Sequence, residues 1–167
     1  MSVPIAEERL VRLDQAFLSA AAELHSKLES LIAAKPFIYQ KRPRGLPSHV
    51  VYLFSDGDAP LYVGRSRNFS QRLGNHCRPS STANQSSFAF KLGCEASALI
   101  PTPYAGPHTR QKLLQSAEFI SGFSLAKARL NEMQIRFVEE EDSVRQALLE
   151  IYCAVALRTP YNDFETH

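Results

Sequence analysis

The chain has 167 residues, 44% of them apolar, which suits one domain with a real core and an accessory element. No apolar stretch is long and uncharged enough to span a bilayer as a helix, and Glu7, Glu8, Arg9 and Arg12 stand where an export signal would need its apolar stretch. The net charge of +2 divides unevenly: residues 36–112 carry +7, residues 113–167 carry −4 and residues 1–35 carry −1.

A basic middle suits a polyanion such as nucleic acid, although an ordinary solvated face would look the same. The cysteines Cys77, Cys94 and Cys153 are odd in number and form no CxxC pair. They are expected to be reduced thiols in a cytoplasmic protein. A zinc site of His76, Cys77 and Cys94 fits none of the usual finger spacings.

In chain order, residues 6–34 place Leu10, Leu13, Phe17, Ala20, Leu24, Leu28 and Leu31 at steps of three or four. This predicts an amphipathic helix that ends before Pro36 and either caps the core or pairs with a second copy. Residues 1–35 are thus expected as a helical extension and residues 36–46 as a basic linker, with Lys41, Arg42 and Arg44 as candidate nucleic-acid contacts. Residues 47–167 form the expected main domain.

Residues 49–54 alternate: Val50, Tyr52 and Phe54 share one face, Val51 and Leu53 the other. Residues 55–58 signal a turn, and Leu61, Tyr62 and Val63 resume a strand. A hairpin centred near Gly57 would set Tyr52 opposite Tyr62, on the same face of the sheet unless a bulge intervenes.

A loop through Arg65 and Arg67 leads to Asn68, the expected N-cap of a helix carrying Arg72 and His76 on one face. A polar loop over residues 80–87, a short helix over 88–92 and a proline-rich loop over 101–107 follow. The spacing then predicts a helix over 109–130, with Gly122 as a candidate break. A third strand is expected over 134–138, and a last helix capped by Asp142 or Ser143 that runs to about Leu157. Residues 139–142, all acidic, read as a solvated run at that helix's N-terminus. Asp56 and Asp58 read as turn formers and His25 as a surface residue. In the last helix Glu150 interrupts an otherwise apolar run, a costly place for a carboxylate unless a cation meets it.

At these residues the chain resembles the GIY-YIG nuclease superfamily. Val50, Val51 and Tyr52 stand where the family has Gly-Ile-Tyr, and Tyr62, Val63 and Gly64 where it has Tyr-Ile-Gly. Arg72 matches the family's arginine on the following helix, Glu150 its metal-binding glutamate, and Pro160 to Asn162 its Pro-x-Asn ending. The Arg72–His76 pair and an asparagine twelve residues after the glutamate look closest to the restriction-endonuclease branch. The main departure is Val50 in place of the first glycine, which removes no functional group.

The resemblance implies an α+β fold with a small three-stranded sheet flanked by helices, and a metal-dependent endonuclease acting on DNA. It implies a tyrosine general base, with Tyr52 favoured and Tyr62 binding the phosphate or the water. Arg65, Arg72 and a protonated His76 would help a phenol whose free pKa is about 10 to ionise. Arg72 would hold the scissile phosphate, and His76 would orient Tyr52 or take up its proton. Glu150 would bind one Mg²⁺ or Mn²⁺ ion, and Asn162 would position the glutamate or the phosphate. Arg65 and Arg67 join the arm cations as DNA contacts. A restriction enzyme that cuts both strands of a symmetric site is expected to be a homodimer.

Taken singly, each residue has a plain structural reading: strand tyrosines that pack, a solvated Arg–His helix face, a glutamate on a helix rim. The rival function is a non-catalytic nucleic-acid-binding module that retains the fold.

Overall fold

The period-two stretch that begins at Val50 becomes the middle strand of a three-stranded antiparallel sheet, flanked by helices in an α+β arrangement. The computed structural model describes residues 15–102, 106 and 108–164. Strand β1 (Val50–Asp56) pairs with β2 (Ala59–Ser66) on one side and β3 (Gln134–Glu139) on the other, in the order β2-β1-β3. Gly57 supplies the positive φ, 57°, that the tight β1–β2 turn requires.

The hairpin register differs from the expected one. Tyr52 lies opposite Gly64, and Tyr62 lies opposite Phe54. The turn centres between Gly57 and Asp58, and a bulge after Pro60 makes Leu61 an extra residue in β2. Proline has no N–H to give the ladder, so the pairing breaks where it costs least. The net displacement is two positions. Tyr52 and Tyr62 therefore stay on one face, with ring centres 6.3 Å apart.

Among the described residues five longer helices surround the sheet: α1 (Leu24–Ala33), α2 (Phe69–Cys77), α3 (Ser87–Ala96), α4 (Ala117–Glu132) and α5 (Ser143–Leu157). The N-terminal stripe is not one continuous helix. A helical segment over residues 15–21 is separated from α1 by a turn at residues 22–23. Leu10 and Leu13 of the expected stripe lie outside the described residues. Helix α1 caps the core: Leu28 and Leu31 are buried against Val51, Leu53, Leu149 and Cys153. The stretch ahead of β1 is tied down too, because Phe37 bridges Ile135 of β3 through both its N–H and its carbonyl.

Helix α2 starts as expected, with the Asn68 side chain accepting from the Gln71 N–H at 3.2 Å. Residues 109–130 break earlier than expected. A single helical turn at Arg110–Leu113 ends before Ser116, whose hydroxyl caps α4 by accepting from Phe119 N–H. Gly122 is no breaker. An added Cβ there would sit 2.7 Å from the Gly93 carbonyl oxygen, so the glycine permits the close crossing of α3 and α4.

Asp142, not Ser143, caps α5. The acidic run beside it is not uniformly solvated: Glu140 is buried and ion-paired with Lys27 of α1 and Arg145 of α5. His25 is exposed, as expected, and Asp56 holds Arg129. No helix among the described residues is long and apolar enough to cross a membrane.

Candidate active site

Alternation along β1 and β2 puts Tyr52, Tyr62 and Gly64 on the face covered by α2 and α3. Helix α2 begins two residues after β2, so its first turns lie against that face. Arg72 and His76, one turn apart, both reach the same atom: Arg72 Nε donates to the Tyr52 hydroxyl at 3.1 Å, and His76 Nε2 lies 2.8 Å from it. The hydroxyl rests over Gly64, where an added Cβ would come within 2.4 Å of the oxygen. The last glycine of the second motif is thus required by the tyrosine of the first.

Glu150 approaches from α5, on the opposite side of the sheet, near the end of β2. Its Oε2 accepts from Arg65 Nε at 2.9 Å. Its side chain is 23% exposed, so the carboxylate sits on the rim of the apolar helix rather than sealed within it. Partial burial raises its pKa above the usual carboxylate value, while Arg65 and then Arg72 oppose that rise. Arg72 is held above its ordinary value despite burial, because both tyrosines favour its charged form. Glu150, Arg72, Tyr52 and Tyr62 therefore influence one another's charge states.

Burial is the dominant influence on Tyr52 and pushes its pKa up; Tyr62 and Glu150 add to the rise, and Arg72 counters it. His76 corrects an expectation. It is fully buried, and burial, Arg72 and Lys127 together hold its pKa well below the usual value, so the ring is neutral, not protonated. Of the expected cationic helpers, Arg72 is the one that both carries a charge and touches Tyr52.

Asn162 sits at the outer edge of β2. It accepts from Val63 N–H and donates to the Val63 carbonyl, each at 2.8 Å, while Tyr161 N–H bonds the Leu61 carbonyl. Residues 161–162 thereby supply the missing strand partner beside Tyr62. Lys41, Arg42, Arg44 and Arg67 are exposed. Arg42 lies over the Tyr39 ring at 4.4 Å, and Arg42 and Arg44 line a cleft with Ser70 at the start of α2.

Sequence reasoning missed three residues that support the site. Ser86 caps α3 and lies 2.6 Å from His76 Nδ1. Lys127 of α4 is buried, with a pKa lowered by burial to about 8, and donates to the carbonyls of Asn75 and His76. Gln146 of α5 ties α5 to the strand ends by donating to the carbonyls of Val50 and Ser66. Only Ser86 had a local signal, as a serine just ahead of an apolar helical run.

The family model described as the GIY-YIG catalytic domain matches residues 48–103. This match supports the GIY-YIG superfamily for the chain. No curated protein and no solved structure matches. The match supports endonuclease activity in general terms. It contains both tyrosines, Gly64, Arg65, Arg72 and His76, whereas Glu150 and Asn162 lie beyond it and join the GIY-YIG segment through the folded geometry.

GIY-YIG nucleases generally use divalent metal ions, and the donor set here limits how one would be held. Among the described residues no three His, Cys, Asp or Glu side chains gather into a cage. A single half-buried carboxylate fits a hard cation that keeps water and takes phosphate oxygen as its other ligands, as magnesium does. It does not fit a zinc site: both ring nitrogens of His76 are engaged, and Cys77 and Cys94 lie in different core clusters.

Proposed function

We propose that this protein is a metal-dependent endonuclease that hydrolyses DNA phosphodiester bonds, restriction-type or closely related. The reading rests on the Tyr52 hydroxyl, held between Arg72 and His76 while Glu150 bears on the same charges. Binding alone would need none of this, since a DNA surface gains nothing from a half-buried carboxylate.

In this reading Tyr52 gives its own proton to solvent, with Arg72 opposing the rise that burial imposes, and as phenolate takes the proton of the attacking water. The water oxygen bonds to phosphorus as the bond to the 3′ oxygen breaks, and the leaving oxygen takes a proton from solvent, leaving 5′-phosphate and 3′-hydroxyl ends. Arg72 holds the scissile phosphate and stabilises its growing charge. Tyr62 hydrogen-bonds the phosphate or the water. Glu150 would hold one Mg²⁺ or Mn²⁺ ion, which supplies charge neutralisation at the leaving oxygen. Asn162 keeps β2, and with it Tyr62, in place. Arg65, Arg67, Lys41, Arg42 and Arg44 would run along the DNA backbone. Cleavage of both strands of a symmetric site would bring two copies together.

A second assignment of the base rests on exposure: Tyr62 keeps 8% of its surface, whereas Tyr52 keeps none. Incubation of plasmid with Mn²⁺, followed by end mapping, tests the function. Substitution of each tyrosine by phenylalanine then tests the base. Loss of cleavage in Tyr52→Phe is expected, and full-rate cleavage by that variant would transfer the role to Tyr62. Salt-sensitive DNA binding without nicking of any DNA would favour the non-catalytic binding module.

A further inference from the structure

Ser86 is fully buried, and among the described residues its hydroxyl oxygen has two partners: the Ala89 N–H at 3.1 Å and His76 Nδ1 at 2.6 Å. The Ala89 bond is the N-cap of α3, and in it the oxygen accepts. The serine proton is then free for one acceptor, and among the described residues the lone pair in reach is on Nδ1. On the far side of the ring, Nε2 meets the Tyr52 oxygen, which already receives the Arg72 Nε–H.

We propose that Ser86 is a positioning residue that donates to His76 Nδ1 and so fixes the Nε2–H tautomer, making His76 a donor to the Tyr52 oxygen rather than an acceptor of its proton. The inference rests on the reading of Tyr52 as the base. It resolves the two roles the sequence leaves open for His76 in favour of orientation.

The donor count supports this assignment. With Tyr52 as phenolate, its oxygen receives Arg72 Nε–H and His76 Nε2–H, His76 Nδ1 receives Ser86 O–H, and the Ser86 oxygen receives Ala89 N–H. Every hydrogen in the chain then has an acceptor, and the phenolate keeps a lone pair for the water it deprotonates; in the phenol, the form that burial favours, the proton occupies that same position and points at the water. In the opposite tautomer Nδ1–H would point at the Ser86 oxygen. The serine proton would then be buried without a partner, a cost of about 1–3 kcal/mol. It would also leave Nε2 aiming a lone pair at the phenolate. The chain Ser86 to His76 to Tyr52 is therefore complementary to the charged form of the base, set in advance by the cap of a neighbouring helix.

Nitrogen NMR of the His76 ring in the full chain tests this without substrate. Wild type and Ser86→Thr, which keeps the hydroxyl, are expected to show Nδ1 bare and Nε2 protonated. Ser86→Gly removes the hydroxyl at little cost to the helix cap. It is expected to show a mixture of tautomers and to cleave roughly ten-fold more slowly, the worth of one lost hydrogen bond, with Ser86→Thr restoring the rate. Protonated Nδ1 in wild type, or a tautomer unchanged in Ser86→Gly, would overturn the assignment. If wild type cleaves no DNA, the nuclease reading fails, and the ring nitrogens alone decide the role of Ser86.

Discussion

Strand β1 sends Val51 and Leu53 to one face of the sheet and Tyr52 and Phe54 to the other, and the two faces are completed in different ways. Under α1 and α5 the filling is Leu28, Leu31, Val63, Leu149 and Cys153, an apolar cluster. Under α2 and α3 the filling is aromatic: Tyr52 stacks on Phe69 at 5.4 Å and Tyr62 on Phe88 at 4.7 Å. Those rings enclose a buried neutral histidine, a tyrosine whose ionisation burial opposes, and an arginine that bonds it. A core built only for stability would resemble the first face throughout. The second carries desolvated polar groups that shift one another's pKa values, as expected where chemistry is done.

The comparison can be broken by one substitution on each side. Leu149→Ala on the apolar face should lower stability by about 2–5 kcal/mol in denaturant melts, with the specific rate of the remaining folded protein unchanged. Arg72→Ala on the aromatic face should do the reverse, with a rate loss of about 10²–10³ and a small change in stability. Equal effects of both on rate would mean that the faces are not functionally distinct.

Gly64→Ala should affect both quantities. The new methyl meets the Tyr52 hydroxyl and its ring, so either β2 or Tyr52 must move. A stability loss of about 1–3 kcal/mol is expected, together with most of the cleavage activity. Wild-type values for both would show that Tyr52 does not need its place over Gly64.

A pH effect should follow from His76 alone. Its pKa is depressed in the folded chain, so below the unfolded value of about 6.5 the unfolded chain takes up a proton that the folded one refuses. The stability present above that value is lost as pH falls, by at most about 1.4 kcal/mol per pH unit. Comparison of melts at pH 7 and pH 5 should show a drop in wild type and a flatter response in His76→Gln. Parallel slopes would contradict a neutral, buried ring. The smallest effect on cleavage rate is expected from Asn162→Ala, which frees the β2 edge at about 1 kcal/mol of stability per lost bond and should slow cleavage less than Arg72→Ala.

The two faces were not equally legible in the sequence. The period-two run of β1, the Asn68 cap and the i,i+4 spacing of Arg72 and His76 are local patterns, and the structure keeps all three. The hairpin register was not readable, because the missing N–H of Pro60 shifts the pairing without leaving a pattern in hydrophobicity. Glu140 looked solvated because its partners, Lys27 and Arg145, come from different helices. Gly122 looked like a helix breaker because its reason for being small lies on α3. The charge state of His76 was not readable because it depends on burial among Phe54 and Phe88 and on the charge of Lys127, which only the folded chain brings around it.

The central claim is that a carboxylate from the apolar side serves hydroxyls on the aromatic side. Its most direct test is the cleavage rate of supercoiled plasmid with Mn²⁺ by wild type and by Glu150→Ala at matched folded concentration. Metal-dependent cleavage by wild type and loss of most of that rate in the variant are the expected results. Equal rates for the two proteins, with or without the ion, would contradict the account.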